Sequence, residues 1–378
     1  MKFGTKAIHA GMEPDAGTGA IMTPIFQTST FVQEYPGKHK GYAYARGKNP
    51  TRTALEKNLA ALENARYALC FSSGMGAIDA VIKLFKPGDE IIAGDDLYGG
   101  SYRIFTKVFE PMGIKFHFVN MSRAEDIKKY IHANTRMIWL ETPTNPTMQI
   151  IDIKACAAIA KEHNLILAVD NTFASPYLQN PIDLGADIVM HSVTKYLGGH
   201  SDVVMGALCL NDDNLYQQLA FIHNSCGATP GPMDCFLVIR GIKTLHLRMQ
   251  AHCKNGKEIA HFLKNHPKIE KVYWPGFQEH PNHQIAKTQM RDFGGMISFV
   301  YKGTAEETFK LASSLKVFSL AESLGGVESL INHPATMTHA SIPKAEREKS
   351  GVVDNLLRLS VGVEDIEDLI EDLKQALS

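Results

Sequence analysis

No two of the six cysteines (Cys70, Cys156, Cys209, Cys226, Cys235 and Cys253) stand in C-x-x-C spacing, which removes the usual redox and zinc-ribbon signatures. Several lie inside apolar runs, where a free thiol acts as a small hydrophobe, so a reducing compartment is expected. No apolar stretch approaches the ~18 residues that span a bilayer, and residues 1–11 lack the apolar run of a secretion signal. The expectation is a cytoplasmic protein with no membrane partner. An excess of one charge is also missing: 39 Lys and Arg against 40 Asp and Glu leave a net charge of −1, well interspersed. That balance speaks against a nucleic-acid partner and for small molecules. His280, His283, His333 and His339 lack the accompanying ligands of a zinc site, so they read as loop histidines and no metal is expected. No complete G-x-G-x-x-G follows an early strand. Ser72-Ser-Gly-Met-Gly76 gives only its first half, which sets a dinucleotide-binding oxidoreductase aside.

What is present suits a large domain followed by a smaller one, within 378 residues free of repeats. Residues 1–50 have little periodicity yet hold Phe26, Phe31, Tyr35, Tyr42 and Tyr44, too many aromatics for a disordered tail. They read as an extended arm that docks on its own body or on a neighbouring subunit. Asn49-Pro50 then opens a helix with Leu55, Leu59 and Leu62 on one face. From residue 67 strands and helices alternate, which predicts an α/β fold with a mainly parallel sheet over 51–247. The character changes near residue 250, and 248–378 reads as a smaller C-terminal domain.

Within this frame the chemistry gathers at strand ends. The run 186–199 reads Ala-Asp-Ile-Val-Met-His-Ser-Val-Thr-Lys-Tyr-Leu-Gly-Gly, a strand that gives way to hydroxyls, one lysine and two glycines. Such a lysine is ordinarily a solvated charge. Here Asp170 closes another strand, Glu141 a third, and Ser72 to Gly76 form a small-residue turn into a helix N-terminus suited to an anion. Ligands of open α/β sheets bind beyond the carboxyl ends of strands, so these groups should converge. One chemistry asks for all of them. A lysine amine for a carbonyl, an acid for a pyridine nitrogen, and a phosphate cup are the requirements of pyridoxal 5'-phosphate. Lys195 supplies the amine and Asp170 the acid. Ser73, Gly74, Met75, Ser192 and Thr194 supply the cup, and Tyr98 offers a ring to stack. Arg358, which interrupts an apolar strand, is left to grip a substrate carboxylate.

The chain resembles the Cys/Met-metabolism family of fold-type I pyridoxal-phosphate enzymes over essentially its whole length. The resemblance runs through Tyr44-Ala-Arg46, Ser73-Gly-Met75, Asp96-Leu-Tyr-Gly-Gly100, Glu141-Thr-Pro-Thr-Asn-Pro146, Val169-Asp-Asn-Thr-Phe173, Ser192-Val-Thr-Lys-Tyr196, Ala321-Glu-Ser-Leu-Gly-Gly326 and Leu357-Arg-Leu-Ser-Val-Gly362. It implies that Lys195 is the Schiff-base lysine, Asp170 the pyridinium partner and Tyr98 the stacking ring. Asn145 would lie near the cofactor hydroxyl or the substrate. Arg358 and Ser323 would meet the substrate, with Arg103 and Glu322 at the mouth. Tyr44 and Arg46 would reach the phosphate of an adjacent subunit in a homotetramer built as a dimer of dimers. The implied reaction is γ-elimination on L-cystathionine, giving cysteine, 2-oxobutanoate and ammonia. The alternative is γ-replacement on O-succinyl- or O-acetylhomoserine by cysteine. Gly100 stands where methionine γ-lyases place a cysteine, and Glu322 is the acid shared by cystathionine γ-lyases and γ-synthases, whereas β-lyases often carry aromatics there. Ala43 and Lys48 depart from the pattern, where relatives often carry an acid and a smaller or neutral residue. A non-catalytic regulator on the same scaffold would be expected to lack Lys195 or Asp170.

Overall fold

The computed structural model describes residues 1–340 and 343–378. Seven strands form the larger sheet: β1 (Tyr67–Phe71), β2 (Glu90–Gly94), β3 (Lys115–Val119), β4 (Thr135–Glu141), β5 (Ile166–Asp170), β6 (Ile188–Ser192) and β7 (Gly206–Leu210). Their order is β1-β7-β6-β5-β4-β2-β3, and only β7 runs against its neighbours. These strands are short, nearly continuous apolar runs because helices cover both faces. Alternation along β4 shows the consequence. Ile138 and Leu140 enter a core with Leu55, Leu59, Cys156 and Val238, whereas Met137 and Trp139 enter another with Ile78, Val81, Phe105 and Leu219. Full burial of each such side chain stabilises by roughly 1.5–3 kcal/mol relative to exposure.

A second sheet follows, from β8 (Ile269–Tyr273), β9 (Met296–Tyr301), β10 (Ser319–Leu320), β11 (Leu330–Asn332) and β12 (Leu356–Ser360), in the order β10-β11-β12-β9-β8. It is antiparallel except where β10 meets β11. On β12 the period of two sends Leu357 and Leu359 into the second sheet's own core, while Arg358 faces the other way, toward the larger sheet.

Several elements differ from the sequence reading. The helix expected to follow the Ser72–Gly76 turn begins inside it, at Gly74, because Ser73 caps it by accepting from Gly76 N–H (3.0 Å). Helix Asp213–Cys226 was absent from that reading, and of its residues only Leu219 and His223 are buried. The boundary expected at residue 248 falls inside the continuous helix Leu245–Lys264, so a helix and not a linker joins the two sheets there. Residues 1–50 are not uniformly extended. Helix Phe3–His9 docks on its own chain, with Asn58 Nδ2 donating to the carbonyls of Lys6 (3.0 Å) and Ala10 (2.9 Å). Beyond it Ile21, Val32 and Tyr35 stand exposed. Among the described residues no helix is long and apolar enough to cross a membrane.

Candidate active site

Four parts converge where β4, β5 and β6 end. The first is the turn after β6. Thr194 exchanges hydrogen bonds with the Met205 backbone, its Oγ1 accepting from Met205 N–H (3.1 Å) and donating to Met205 C=O (3.2 Å). The hydroxyl expected to face a phosphate is thus engaged in closing the turn that carries Lys195. Arg248, buried, donates to Tyr196 C=O (2.7 Å) from the joining helix and fixes the turn from behind. Lys195 Nζ donates to Ser323 Oγ (2.8 Å). Burial, helped by the Arg358 cation and opposed by Glu322, brings its ammonium down to about 8. A lysine so placed reaches its neutral, nucleophilic form far more readily than a solvated one.

The second part is an acid pair. Glu141 and Asp170 stand opposite each other in the β4–β5 register. Burial raises both carboxyls. Asp170 Oδ1, however, accepts from Thr172 N–H (3.0 Å) and Thr172 O–H (2.5 Å), with His191 adding its charge when protonated. Glu141 accepts one N–H, from Tyr98 (3.0 Å), and burial together with the Asp170 charge pushes it well above the usual carboxylate range. Of the two, Glu141 is raised the further, so within the pair it is the first to take up a proton.

The third part is the anion cup. Helix Gly74–Ile82 starts against the end of β6, where a Cβ on Gly74 would lie 3.1 Å from Met190 Cε and 3.2 Å from Ser192 Cβ. A side chain there would press on both. Ser73, Gly74, Met75 and Ser192 come together here; Gly76 N–H is taken by Ser73 Oγ, which leaves the Gly74 and Met75 N–H groups of the first turn to meet an anion. Ser192 N–H donates to Thr172 Oγ1 (2.8 Å), which links the cup to Asp170.

The fourth part is a buried guanidinium. Arg358 Nη1 donates to Asn145 Oδ1 (2.7 Å) and Nη2 to Ser323 C=O (2.9 Å), while its Nε has no partner among the described residues. An unpartnered donor on a fully buried cation is costly unless an anion arrives. His339 Nε2 lies 3.0 Å from Asn145 C=O and supports that loop; burial and Arg358 bring its imidazolium down to about 4, so it donates as a neutral ring. His339, in a turn as expected, is thus also a buried strut; His333, outside helix and strand as well, and His283, which instead opens helix His283–Gln289, are likewise buried against carbonyls.

Tyr98 is partly exposed above these groups. A Cβ at position 100 would meet its ring at 2.3 Å, so Gly100 leaves the space the ring uses. Glu322 is exposed beside Ser323, and Arg103 is exposed on helix Gly99–Ile104. Tyr44 and Arg46 do not join the other groups within the chain. The Arg46 guanidinium lies 5.5 Å from the Tyr44 ring centre, and its Nε donates to Asn224 (3.4 Å).

Sequence reasoning missed the layer beneath. Glu63, fully buried at the C-cap of helix Pro50–Leu62, accepts from Asn171 Nδ2 (2.9 Å) and Asn180 Nδ2 (3.2 Å), and lies 2.5 Å from His191 Nε2. Asn171 and His191 flank Asp170 and Ser192, so this network holds both strand ends in place. Thr144 (2.5 Å) and Thr147 likewise donate to buried Asp96, which burial raises to about 6. A carboxyl two residues before Tyr98 and a hydroxyl one residue before Asn145 were the available signal.

The donor set fits a pyridine carrying a phosphate and a carbonyl. An aspartate held by Thr172 stands on one strand end, a depressed lysine after the next, and a small-residue anion cup beside them. The model of the family described as Cys/Met metabolism PLP-dependent enzyme matches residues 4–378. Among curated relatives, a cystathionine gamma-lyase of Dictyostelium discoideum is 53% identical over 377 residues, covering 100% of this chain and 97% of that protein. A cystathionine beta-lyase of Lactococcus lactis subsp. cremoris is 54% identical over 374 residues, covering 99% and 98%. The solved structure of cystathionine gamma-lyase from Lactobacillus plantarum complexed with L-serine superposes with a TM-score of 0.97 at 45% identity, covering 100% of this chain and 98% of that one.

Proposed function

Because this chain belongs to the Cys/Met metabolism PLP-dependent enzymes, of fold-type I, we propose that it performs γ-elimination on L-cystathionine, releasing cysteine, 2-oxobutanoate and ammonia. The carrying observation is the pair of opposite charges that act on Lys195. Arg358 lies buried on one side and Glu322 is exposed on the other. A substrate with a carboxylate at its reacting end and an ammonium at its distal end matches that pair.

Lys195, Asp170, Tyr98, Asn145 and the cup residues Ser73, Gly74, Met75 and Ser192 would hold the cofactor, which when bound supplies an electron sink conjugated with the substrate α-carbon. Asp170 keeps the ring nitrogen protonated. Arg358 fixes the α-carboxylate, with Asn145 and Ser323 holding the guanidinium in plane. Lys195 Nζ takes the α-proton and passes protons between carbons, and its modest basicity serves both directions. The Tyr98 hydroxyl protonates the departing sulfur. Glu322 and Arg103 meet the distal ammonium and carboxylate. The space over Gly100 is kept for the Tyr98 ring, unlike enzymes with cysteine at that place.

Wild-type protein given L-cystathionine should yield 2-oxobutanoate and cysteine. The same preparation should turn over O-succinyl- or O-acetylhomoserine with cysteine more slowly. Pyruvate with homocysteine as products, or activity in the replacement assay only, would overturn the proposal.

Tyr44 and Arg46, exposed on an arm that leaves its own site incomplete, would complete the phosphate cup of a neighbouring subunit in a homotetramer. Arg46→Ala should then weaken cofactor retention by roughly 10-fold or more, the cost of one charge-assisted hydrogen bond to phosphate. Equilibrium dialysis of the variant checks this, and unchanged retention would place the arm elsewhere.

A further inference from the structure

The larger sheet also gathers ligating side chains toward the N-terminal ends of its strands, the edge away from the candidate active site. Glu90 opens β2, His117 lies on β3, and His132 stands in the turn before β4. His117 Nε2 is 2.7 Å and His132 Nδ1 2.8 Å from the same carboxylate oxygen, Glu90 Oε2. One ligand atom from each residue lies within 4.8 Å of the others. The backbone fixes the three. Glu90 pairs with Lys115 on β3 two residues from His117, its N–H donates to Asn134 C=O (2.9 Å), and His132 N–H donates to Thr135 Oγ1 (2.9 Å). Glu90 and His117 are largely buried, whereas the His132 side chain is 50% exposed, which leaves a way in from solvent.

We propose that Glu90, His117 and His132 bind one zinc ion, through His117 Nε2, His132 Nδ1 and the Glu90 carboxylate, with water at the open position. Two imidazoles and a carboxylate form a borderline set that suits Zn²⁺ and not the all-oxygen preference of Ca²⁺ or Mg²⁺. Zinc–ligand bonds of about 2.0–2.1 Å put tetrahedral ligands ~3.3 Å apart, so the cluster opens by about half an ångström to admit the ion. On binding, a neutral ring moves the hydrogen it shares with Glu90 to its other nitrogen, whereas a charged ring releases that hydrogen to solvent and keeps the one on its other nitrogen. Both rings face the same carboxylate oxygen, Glu90 Oε2. Lys115 Nζ sits 3.5 Å from the other oxygen, Oε1, on an exposed side chain that can swing out to solvent. The ion would tie β2, β3 and the entry to β4 together, and leave turnover unchanged because Lys195 and Arg358 lie beyond the opposite strand ends.

The test uses cofactor-loaded enzyme, freed of metal by chelator and titrated with Zn²⁺ by calorimetry, with bound zinc counted by elemental analysis. One zinc per chain should bind and raise the melting temperature. His117→Ala and His132→Ala, each checked for wild-type turnover, should each weaken binding by more than about 100-fold, beyond the loss expected for an outer hydrogen-bond partner. Cys226→Ser, which removes the one exposed thiol among the described residues, should leave it intact. Absence of saturable binding, binding that survives both histidine variants, or binding lost in Cys226→Ser would each overturn the proposal.

Discussion

Lys195→Ala should abolish the visible band of the bound cofactor and lower turnover of L-cystathionine by at least ~10³–10⁴-fold, since one amine serves as both attachment point and proton carrier. The expectation rests on geometry as well as on family membership. The amine is placed by Ser323, brought down to about 8 by burial and Arg358, and carried on a turn that Thr194 and Arg248 both close. Neither brace depends on the lysine side chain, so the variant should fold. Cofactor should still bind without a covalent bond, held by Asp170 and the cup, which a fluorescence titration would register. A variant that keeps the band, or keeps turnover within about tenfold of wild type, would mean that another lysine does this work.

Replacing Arg358 should produce the second largest effect, and the choice of residue separates its two roles. Arg358→Lys keeps the charge but loses the fork, so KM should rise by on the order of 100-fold with the pH profile of kcat in place. Arg358→Ala removes the charge as well. The cation is one of the causes that lower Lys195, so removing it lets the ammonium persist to higher pH. A step that requires the neutral amine would then move its acid limb to higher pH, in addition to the rise in KM. Stopped-flow and steady-state profiles of both variants decide the matter. Equal shifts in the two variants would remove Arg358 from the control of Lys195, and an unchanged KM would remove it from carboxylate binding.

The parts of the site that were legible in the sequence are those in which a residue is out of character with its neighbours. Arg358 stands inside an apolar strand, Lys195 follows buried β6 directly, and Ser72 to Gly76 interrupt apolar runs with small residues. The supports beneath them were not legible, because partners distant in the chain look ordinary one at a time. Glu63 and His191 are 128 residues apart, and Asn145 and His339 are 194 apart. Helix Asp213–Cys226 was legible but missed: Leu215, Leu219 and Ile222 recur at helical spacing and pack on one core. The arm was legible as an aromatic-rich stretch without a core, yet the docking of helix Phe3–His9 on Asn58 depends on backbone carbonyls, which leave no mark in side-chain pattern.

The most direct measurement for the central claim, that Lys195 carries the cofactor, is reduction of the wild-type holoenzyme with borohydride, followed by proteolysis and mass mapping of the labelled peptide. The expected result is one pyridoxyl group per chain, on the peptide containing Ser192-Val-Thr-Lys-Tyr196 and localised to Lys195. A label on any other lysine, or no label on a yellow enzyme, would contradict it.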